Sequence, residues 1–221
     1  HIGFESAIGA DCWTLSRGLI AEGSPYYETG AKLSYSNENN TFTTSLLYLN
    51  GWQKIARPDF ISRPSFGMQL YYKPKPNLTL NYSNFYGTDK PDEADTKRFF
   101  NNFYVIFEPG SKFGFTLGYD IGIETTSDAS YTFGSSVMMI KYNISPVMKF
   151  VVRGEYYFDE QPTILPFDKE TNISGLSANF DYLINNNCLW RIEAKRFNAN
   201  RNIFSNSNSN ENFTTSLSIK I

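Results

Sequence analysis

Residues 113–123, FGFTLGYDIGI, carry an apolar side chain at every odd position and a small or polar one at every even position. Successive side chains of an extended chain point to opposite sides, so this stretch predicts a β-strand with one apolar and one hydrophilic face. The same alternation recurs at 188–196 and 213–221. Helical periodicity is nearly absent from the rest of the chain, and the sequence therefore predicts an all-β fold.

Segments of this kind follow one another through all 221 residues, and the chain is expected to form a single domain over 1–221. No apolar run approaches the roughly 18 residues that a membrane-spanning helix needs. We predict antiparallel strands at 28–37, 41–51, 65–73, 77–87, 98–107, 113–124, 135–142, 148–158, 173–183, 188–197 and 213–221.

The connections between these strands alternate in length. Short, turn-like connections are predicted at 37–40, 74–76, 108–112, 143–147 and 184–187. Long polar ones are predicted at 52–64, 88–97, 125–134, 159–172 and 198–212. Short periplasmic turns and long extracellular loops are typical of bacterial outer-membrane barrels with an up-and-down topology. On this interpretation the long loops are extracellular and the C-terminus is periplasmic.

Alternation alone does not decide which face points inward, because a soluble barrel or sandwich would bury the apolar face. Aromatic residues make up 17% of the chain, and many lie on the apolar face close to the strand ends. Two such bands are typical of membrane barrels, since an amphipathic ring suits the headgroup layer. The hydrophilic face, including Thr116, is then expected to meet a water-filled lumen.

Single-chain bacterial barrels usually have an even number of strands. The first complete predicted strand descends from the loop side, so we expect a rising strand before it, with residues 2–6 as its end. The chain is therefore predicted to hold about 11–12 strands of a larger barrel.

Seven motifs resemble the putative β-barrel porin-2 (OmpL-like) family of Bacteroidetes. They are HIGFESAIG (1–9), WTLSR (13–17), SPYYETGAKLSY (24–35), LNGWQ (49–53), GTDKPD (87–92), RGEYY (153–157) and LWRIE (189–193). The resemblance covers essentially the whole chain. It implies an outer-membrane, porin-like barrel of about sixteen strands, of which about five are missing here. It does not imply a particular solute.

The sequence contains few of the residue combinations that catalytic sites require. The one histidine, His1, is the first residue, and neither a nucleophile–histidine pair nor a glycine-rich phosphate loop can be recognised. Residues 89–95 contain four carboxylates, but their spacing fits no calcium loop, which favours a solvated loop tip over a Ca²⁺ site. We expect no enzymatic activity, no metal and no cofactor. The net charge of −2 argues against a nucleic-acid partner.

Charged residues on the hydrophilic strand faces are the first group of predicted pore-lining positions. Unpaired buried charge is costly, so a wet lumen explains them, although internal ion pairs that stiffen the wall are an equal alternative. These residues are Lys32, Asp120, Lys141, Arg153, Glu155, Asp181, Arg191, Glu193, Lys195 and Lys220.

Residues 9–28 supply the second group. They include Trp13, Leu19 and Tyr27, which is too apolar a content for a free external loop. We expect this segment to fold inward as a constriction loop that brings Arg17, Glu22 and Glu28 towards the narrowest point. An external flap packed on the rim is the alternative.

The predicted function is passive diffusion of small hydrophilic solutes or ions through an outer-membrane porin. A non-conducting structural or adhesive barrel and a soluble β-barrel that binds a ligand are the alternatives. The expected partners are outer-membrane lipid and lipopolysaccharide, the diffusing solutes, and further copies of the chain or other outer-membrane proteins. Cys12 and Cys188 are far apart in sequence, and their pairing is left open.

Overall fold

The computed structural model describes residues 1–6 and 8–220. Ala7, within the first family-like motif, and Ile221, the end of the last predicted strand, lie outside them. The described residues form eleven strands: β1 (Gly30–Ser36), β2 (Phe42–Leu49), β3 (Ser65–Lys75), β4 (Leu78–Gly87), β5 (Lys97–Phe107), β6 (Phe113–Thr125), β7 (Ser130–Ser145), β8 (Met148–Asp159), β9 (Thr171–Asn185), β10 (Cys188–Ala199) and β11 (Ser209–Ile219).

The strands form one antiparallel sheet in which each strand pairs with the next one along the chain. The longest ladder joins β6 to β7 and runs from the pair Phe113 and Tyr142 to the pair Thr125 and Ser130. Within the described residues, β1 and β11 each pair on one side only. The up-and-down topology predicted from the sequence is confirmed, and these residues form one continuous wall.

Two sequence-based expectations about the strands are wrong. The connection predicted at 125–134 shrinks to a tight turn at 126–129, where the Thr126 amide donates to the Ala129 carbonyl at 2.8 Å. The strict alternation of short and long connections fails there, because backbone pairing continues through polar residues that carry no apolar signal. Residues 2–6 form no strand, and they lie against the inner face of the sheet instead.

Helical structure is confined to short pieces. The α-helix α1 (Leu19–Glu22) has four residues, and 3-10 turns lie at Gly9–Asp11 and Asp92–Ala94. In the part of the chain that the structure describes, no helix combines the length and the apolarity needed to cross a membrane.

The two faces of the sheet have opposite environments. On β6 the outward side chain of Leu117 is 56% exposed, whereas the inward side chains of Thr116 and Asp120 are almost fully buried. Residues 1–28 cover much of the inner face, so the expectation that Thr116 meets a water-filled lumen is wrong. A soluble barrel would bury its apolar face, and this sheet exposes it.

Aromatic side chains lie towards both ends of the outer face. Near the short turns, the Phe113 and Tyr142 rings pack at 5.0 Å between centroids. At the opposite end, Tyr48 packs against Phe66 at 5.9 Å. The aromatic bands expected from the sequence are thus present on the face that is exposed.

Replacing an outward apolar residue by a charged one should separate the two faces. We expect Leu117→Arg to lower the free energy of unfolding by about 2–4 kcal/mol, since a charge near the middle of the outer face must enter the hydrocarbon. Thr214→Arg is the control, because Thr214 lies opposite Glu193 on the inner side of β11, is exposed, and makes no side-chain hydrogen bond among the described residues. Urea unfolding in lipid vesicles measures both, and equal tolerance would contradict the face assignment.

Candidate functional site

The chain before β1 lies along the inner face of the sheet and is called the inner segment (residues 1–28, described apart from Ala7). The His1 carbonyl accepts hydrogen bonds from Gln69 at 3.0 Å and from Ser83 at 2.7 Å. At the far end of the sheet, Arg191 donates to the carbonyl oxygens of Gly9 at 2.6 Å and of Cys12 at 2.9 Å. The inner segment therefore contacts the sheet from β3 to β10.

A group of charged side chains lies at the centre of this contact. The Arg153 guanidinium, on β8, is fully buried, with carboxylate oxygens of Glu193 at 3.0 Å, Glu155 at 3.5 Å and Glu5 at 3.7 Å. Lys195 completes the set with an ion pair to Glu155 at 3.0 Å. We call these five residues the central cluster; it joins three carboxylates to two cations.

The backbone of the inner segment satisfies the carboxylates of the central cluster. The Ser16 amide donates to Glu193 at 2.6 Å, and the Leu19 amide donates to Glu155 at 2.6 Å. In return, Arg153 donates to the Thr14 hydroxyl at 2.8 Å. Hydrogen bonds to charged groups are stronger than neutral ones, so these contacts fix the segment on the wall.

Glu5 and Gly18 link two parts of the inner segment inside the central cluster. The Gly18 amide donates to the Glu5 carboxylate at 3.1 Å. A Cβ atom at Gly18 would lie 3.2 Å from Glu5 Oε1 and 3.3 Å from Glu155 Oε2, so glycine permits this close approach. Burial raises the pKa of the Glu5 carboxyl, and the Gly18 hydrogen bond and the Arg153 charge partly oppose that rise.

Apolar packing holds α1 beside the central cluster. Ile20 packs in a cluster with Val137, Met139 and Val151 of the wall. A Cβ atom at Gly118 on β6 would lie 2.8 Å from Ile20 Cδ1, so the small residue on the strand makes room for the helix. The inner face is therefore not uniformly hydrophilic, because it carries apolar side chains where α1 packs against it.

Further ion pairs lie above and below the central cluster. Towards the short turns, Asp181 binds both Arg191 at 2.9 Å and Lys149 at 2.8 Å. Towards the long loops, Arg98 pairs with Glu124, and its guanidinium lies 5.0 Å from the Trp52 ring centroid. Charges on the inner face are thus paired at three levels of the sheet.

Three polar side chains of the inner segment remain accessible beside the central cluster. Arg17 lies 3.9 Å from Glu22 and 4.5 Å from the centroid of the Tyr26 ring. The Tyr26 hydroxyl donates to the Glu22 carboxylate. Burial and this carboxylate raise the pKa of Tyr26 to about 12. We call Arg17, Glu22 and Tyr26 the uncovered triad, because all three remain partly exposed.

The remaining predicted site residues are separate from these groups. Asp120 accepts a hydrogen bond from Asn102 at 2.5 Å. Glu28 contacts His1 at 2.5 Å, Lys141 pairs with Glu108, and Lys32 lies on the exposed strand β1. Lys220 follows β11 and is exposed.

Sequence reasoning missed several partners of the predicted residues, chiefly Glu5, Thr14 and Ser16. The sequence predicts Glu5 at the end of a strand, and hydroxyl residues in an irregular segment give no signal of their own. Both cysteines, Cys12 and Cys188, are free. Among the described residues, no group of His, Cys, Asp and Glu side chains could hold a metal ion.

The antiparallel up-and-down sheet exposes its apolar face, carries aromatic side chains near both ends of that face and buries charged side chains on its inner face. These features define the class of outer-membrane porins. The family profile of the putative β-barrel porin-2, OmpL-like proteins matches residues 1–221. The chain therefore belongs to the putative β-barrel porin-2 (OmpL-like) family, as its motifs predicted. No curated protein matches the sequence.

Solved structures share this fold. An anion-selective porin from Comamonas acidovorans superposes with a TM-score of 0.64 at 9% identity, over 90% of this chain and 64% of that one. A loop-deletion mutant of OmpT, an outer-membrane protein of Vibrio cholerae, gives a TM-score of 0.58 at 11% identity, over 85% and 61%. The chain thus spans less than two thirds of either structure, and at these identities the likeness shows the fold alone.

Removing the central cation should destabilise the protein. Arg153→Met leaves three carboxylates close together without their main counter-charge, and we expect a loss of about 3–5 kcal/mol in the free energy of unfolding. Arg153→Lys retains the charge but loses the forked hydrogen bonds, so its loss should be smaller. Unfolding by urea in detergent micelles measures these values, with the exposed Arg57→Met as the control. A loss at Arg153 no larger than that at Arg57 would contradict the role of the central cluster.

Proposed function

We propose that the chain forms most of the wall of an outer-membrane pore through which small hydrophilic solutes or ions diffuse passively. The observation that carries this proposal is the two-sided inner segment. One side is fixed to the wall by the central cluster, and the other presents the uncovered triad. A segment held in this way narrows the lumen without depending on a mobile loop.

The triad defines the chemistry of the proposed constriction. Arg17 supplies a permanent positive charge, Glu22 a carboxylate and Tyr26 a phenol, and the three contact one another. Mixed charges at a narrow point favour hydrated polar solutes and disfavour apolar ones. In this proposal residues 9–28 form the constriction, the long loops are extracellular and the C-terminus is periplasmic. The outer face contacts lipid and lipopolysaccharide.

No covalent chemistry is proposed for the chain. The one histidine of the sequence, His1, contacts Glu28 and the carbonyl oxygen of Asn84.

A non-conducting structural barrel is the second candidate, and one observation favours it. Many predicted pore-lining charges, including Arg153, Glu155 and Arg191, are buried and paired rather than wet. Such pairs stiffen a wall as well as they tune a pore. Conductance of the full-length protein in a planar bilayer separates the two candidates, because a sealed barrel carries no current.

Truncating the two charged members of the uncovered triad tests the constriction. We expect Arg17→Ala combined with Glu22→Ala to raise single-channel conductance roughly 1.5-fold or more, because it widens the narrow point and leaves the contacts with Arg153 and Glu155 in place. The matched control is Arg57→Ala combined with Asp59→Ala, which removes the same two charges from an exposed long loop. An unchanged conductance in the triad variant, with normal heat-modifiability on a gel, would place the segment outside the path.

A further inference from the structure

Two neighbouring cavities open at the end of the sheet that carries the short turns. Their volumes are about 610 and 690 Å³, and both are lined by Leu183 and Leu189. The larger one lies between the bend of the inner segment at residues 8–11 and the inner faces of β10 and β11. We call the two cavities together the short-turn vestibule. Each is large enough to hold several water molecules or a small solute.

The charges around the vestibule are mostly positive. Lys112 and Lys149 line the smaller cavity, and Arg191 and Lys220 line the larger one. The carboxylates are those of Asp181 and Asp11.

Pairing inside the vestibule leaves part of this positive charge uncompensated. Asp181 already binds two cations, Lys149 at 2.8 Å and Arg191 at 2.9 Å. Within residues 1–6 and 8–220, no carboxylate oxygen lies within 4.0 Å of the Lys112 ammonium group. A solute anion that enters the vestibule would therefore meet positive side chains that are not fully neutralised by carboxylates of the protein.

The opposite end of the sheet has the opposite balance. The long loops and the turn at 126–129 (residues 50–64, 88–96, 126–129, 160–170 and 200–208) contain nine Asp or Glu and six Lys or Arg. The long-loop end therefore has an excess of negative residues, whereas the residues that line the short-turn vestibule have an excess of positive ones. Low-dielectric walls focus such a potential into the lumen, whereas charges on open surfaces are screened within about 8 Å at physiological salt.

We infer that the short-turn vestibule is an anion-binding mouth that favours small anions over cations. This inference rests on the proposed function and adds the class of solute to it. Lys112, Lys149 and Lys220 supply ammonium groups, and the hydroxyls of Ser216 and Ser218 line the same space as further donors. The central cluster lies deeper and is already paired, so the vestibule is the place where a free anion finds unmatched positive charge.

Reversal potentials across a KCl gradient test the inference on the full-length protein in a planar bilayer. The test variant is Lys112→Glu combined with Lys220→Glu. Both residues are exposed, and their hydrogen bonds with the neighbouring strands use only backbone atoms, the Lys112 carbonyl with Asn143 and the Lys220 amide with Asn187. The control, Arg57→Glu combined with Lys169→Glu, makes the same charge change in two exposed long-loop residues.

We expect the unmodified protein to prefer chloride over potassium, and the test variant to reduce the permeability ratio roughly two- to threefold. The control should shift it much less. A conducting protein that prefers potassium, or a ratio that the test variant leaves unchanged or shifts no more than the control does, overturns the anion-binding mouth and leaves the pore intact. Absence of any conductance in the unmodified protein overturns the pore and the mouth together.

Discussion

The burial of the Arg153 guanidinium is the constraint on which the interior of this protein depends. A charge taken out of water costs several kcal/mol unless other groups replace its hydration. The wall supplies Glu155 and Glu193, but these carboxylates need donors of their own. The inner segment provides them through the backbone amides of Ser16 and Leu19, at 2.6 Å each. Wall and segment are therefore not independent, because neither side has its hydrogen bonds satisfied alone.

The same constraint explains why the inner segment is irregular. A long helix or a strand would use its amides for its own hydrogen bonds, and those amides would then be lost to the carboxylates. Apart from α1 and one 3-10 turn, the segment leaves its backbone groups free for Arg153, Arg191 and their partners. Ile20 adds apolar burial against Gly118 and Val137. The result is a segment whose described residues are bound to the inner face of the sheet by charged hydrogen bonds and by apolar packing.

The sequence predicts which face of the sheet a charged residue occupies, but it does not predict which residues that side chain contacts. Alternation on β6, β8 and β10 places Asp120, Arg153, Glu155, Arg191 and Glu193 on one side, and the structure has them there. Which of them meet could not be predicted, because Arg153 and Glu5 are brought together by the path of the inner segment and not by any spacing along a strand. Thr116 shows the same limit. The sequence correctly predicts that its side chain points inward, but the prediction that it contacts water is wrong, because it is buried.

The sequence by itself determined most strand positions, the order in which the strands pair and the exposure of the apolar face. These follow from local rules, namely period-two alternation, turn chemistry and the banding of aromatic residues. The tertiary structure decided that β7 begins at Ser130 and that residues 2–6 leave the sheet. It also decided that the central inward charges, Arg153, Glu155 and Glu193, are buried and paired. Each of these depends on contacts between residues distant in sequence, which local alternation does not encode.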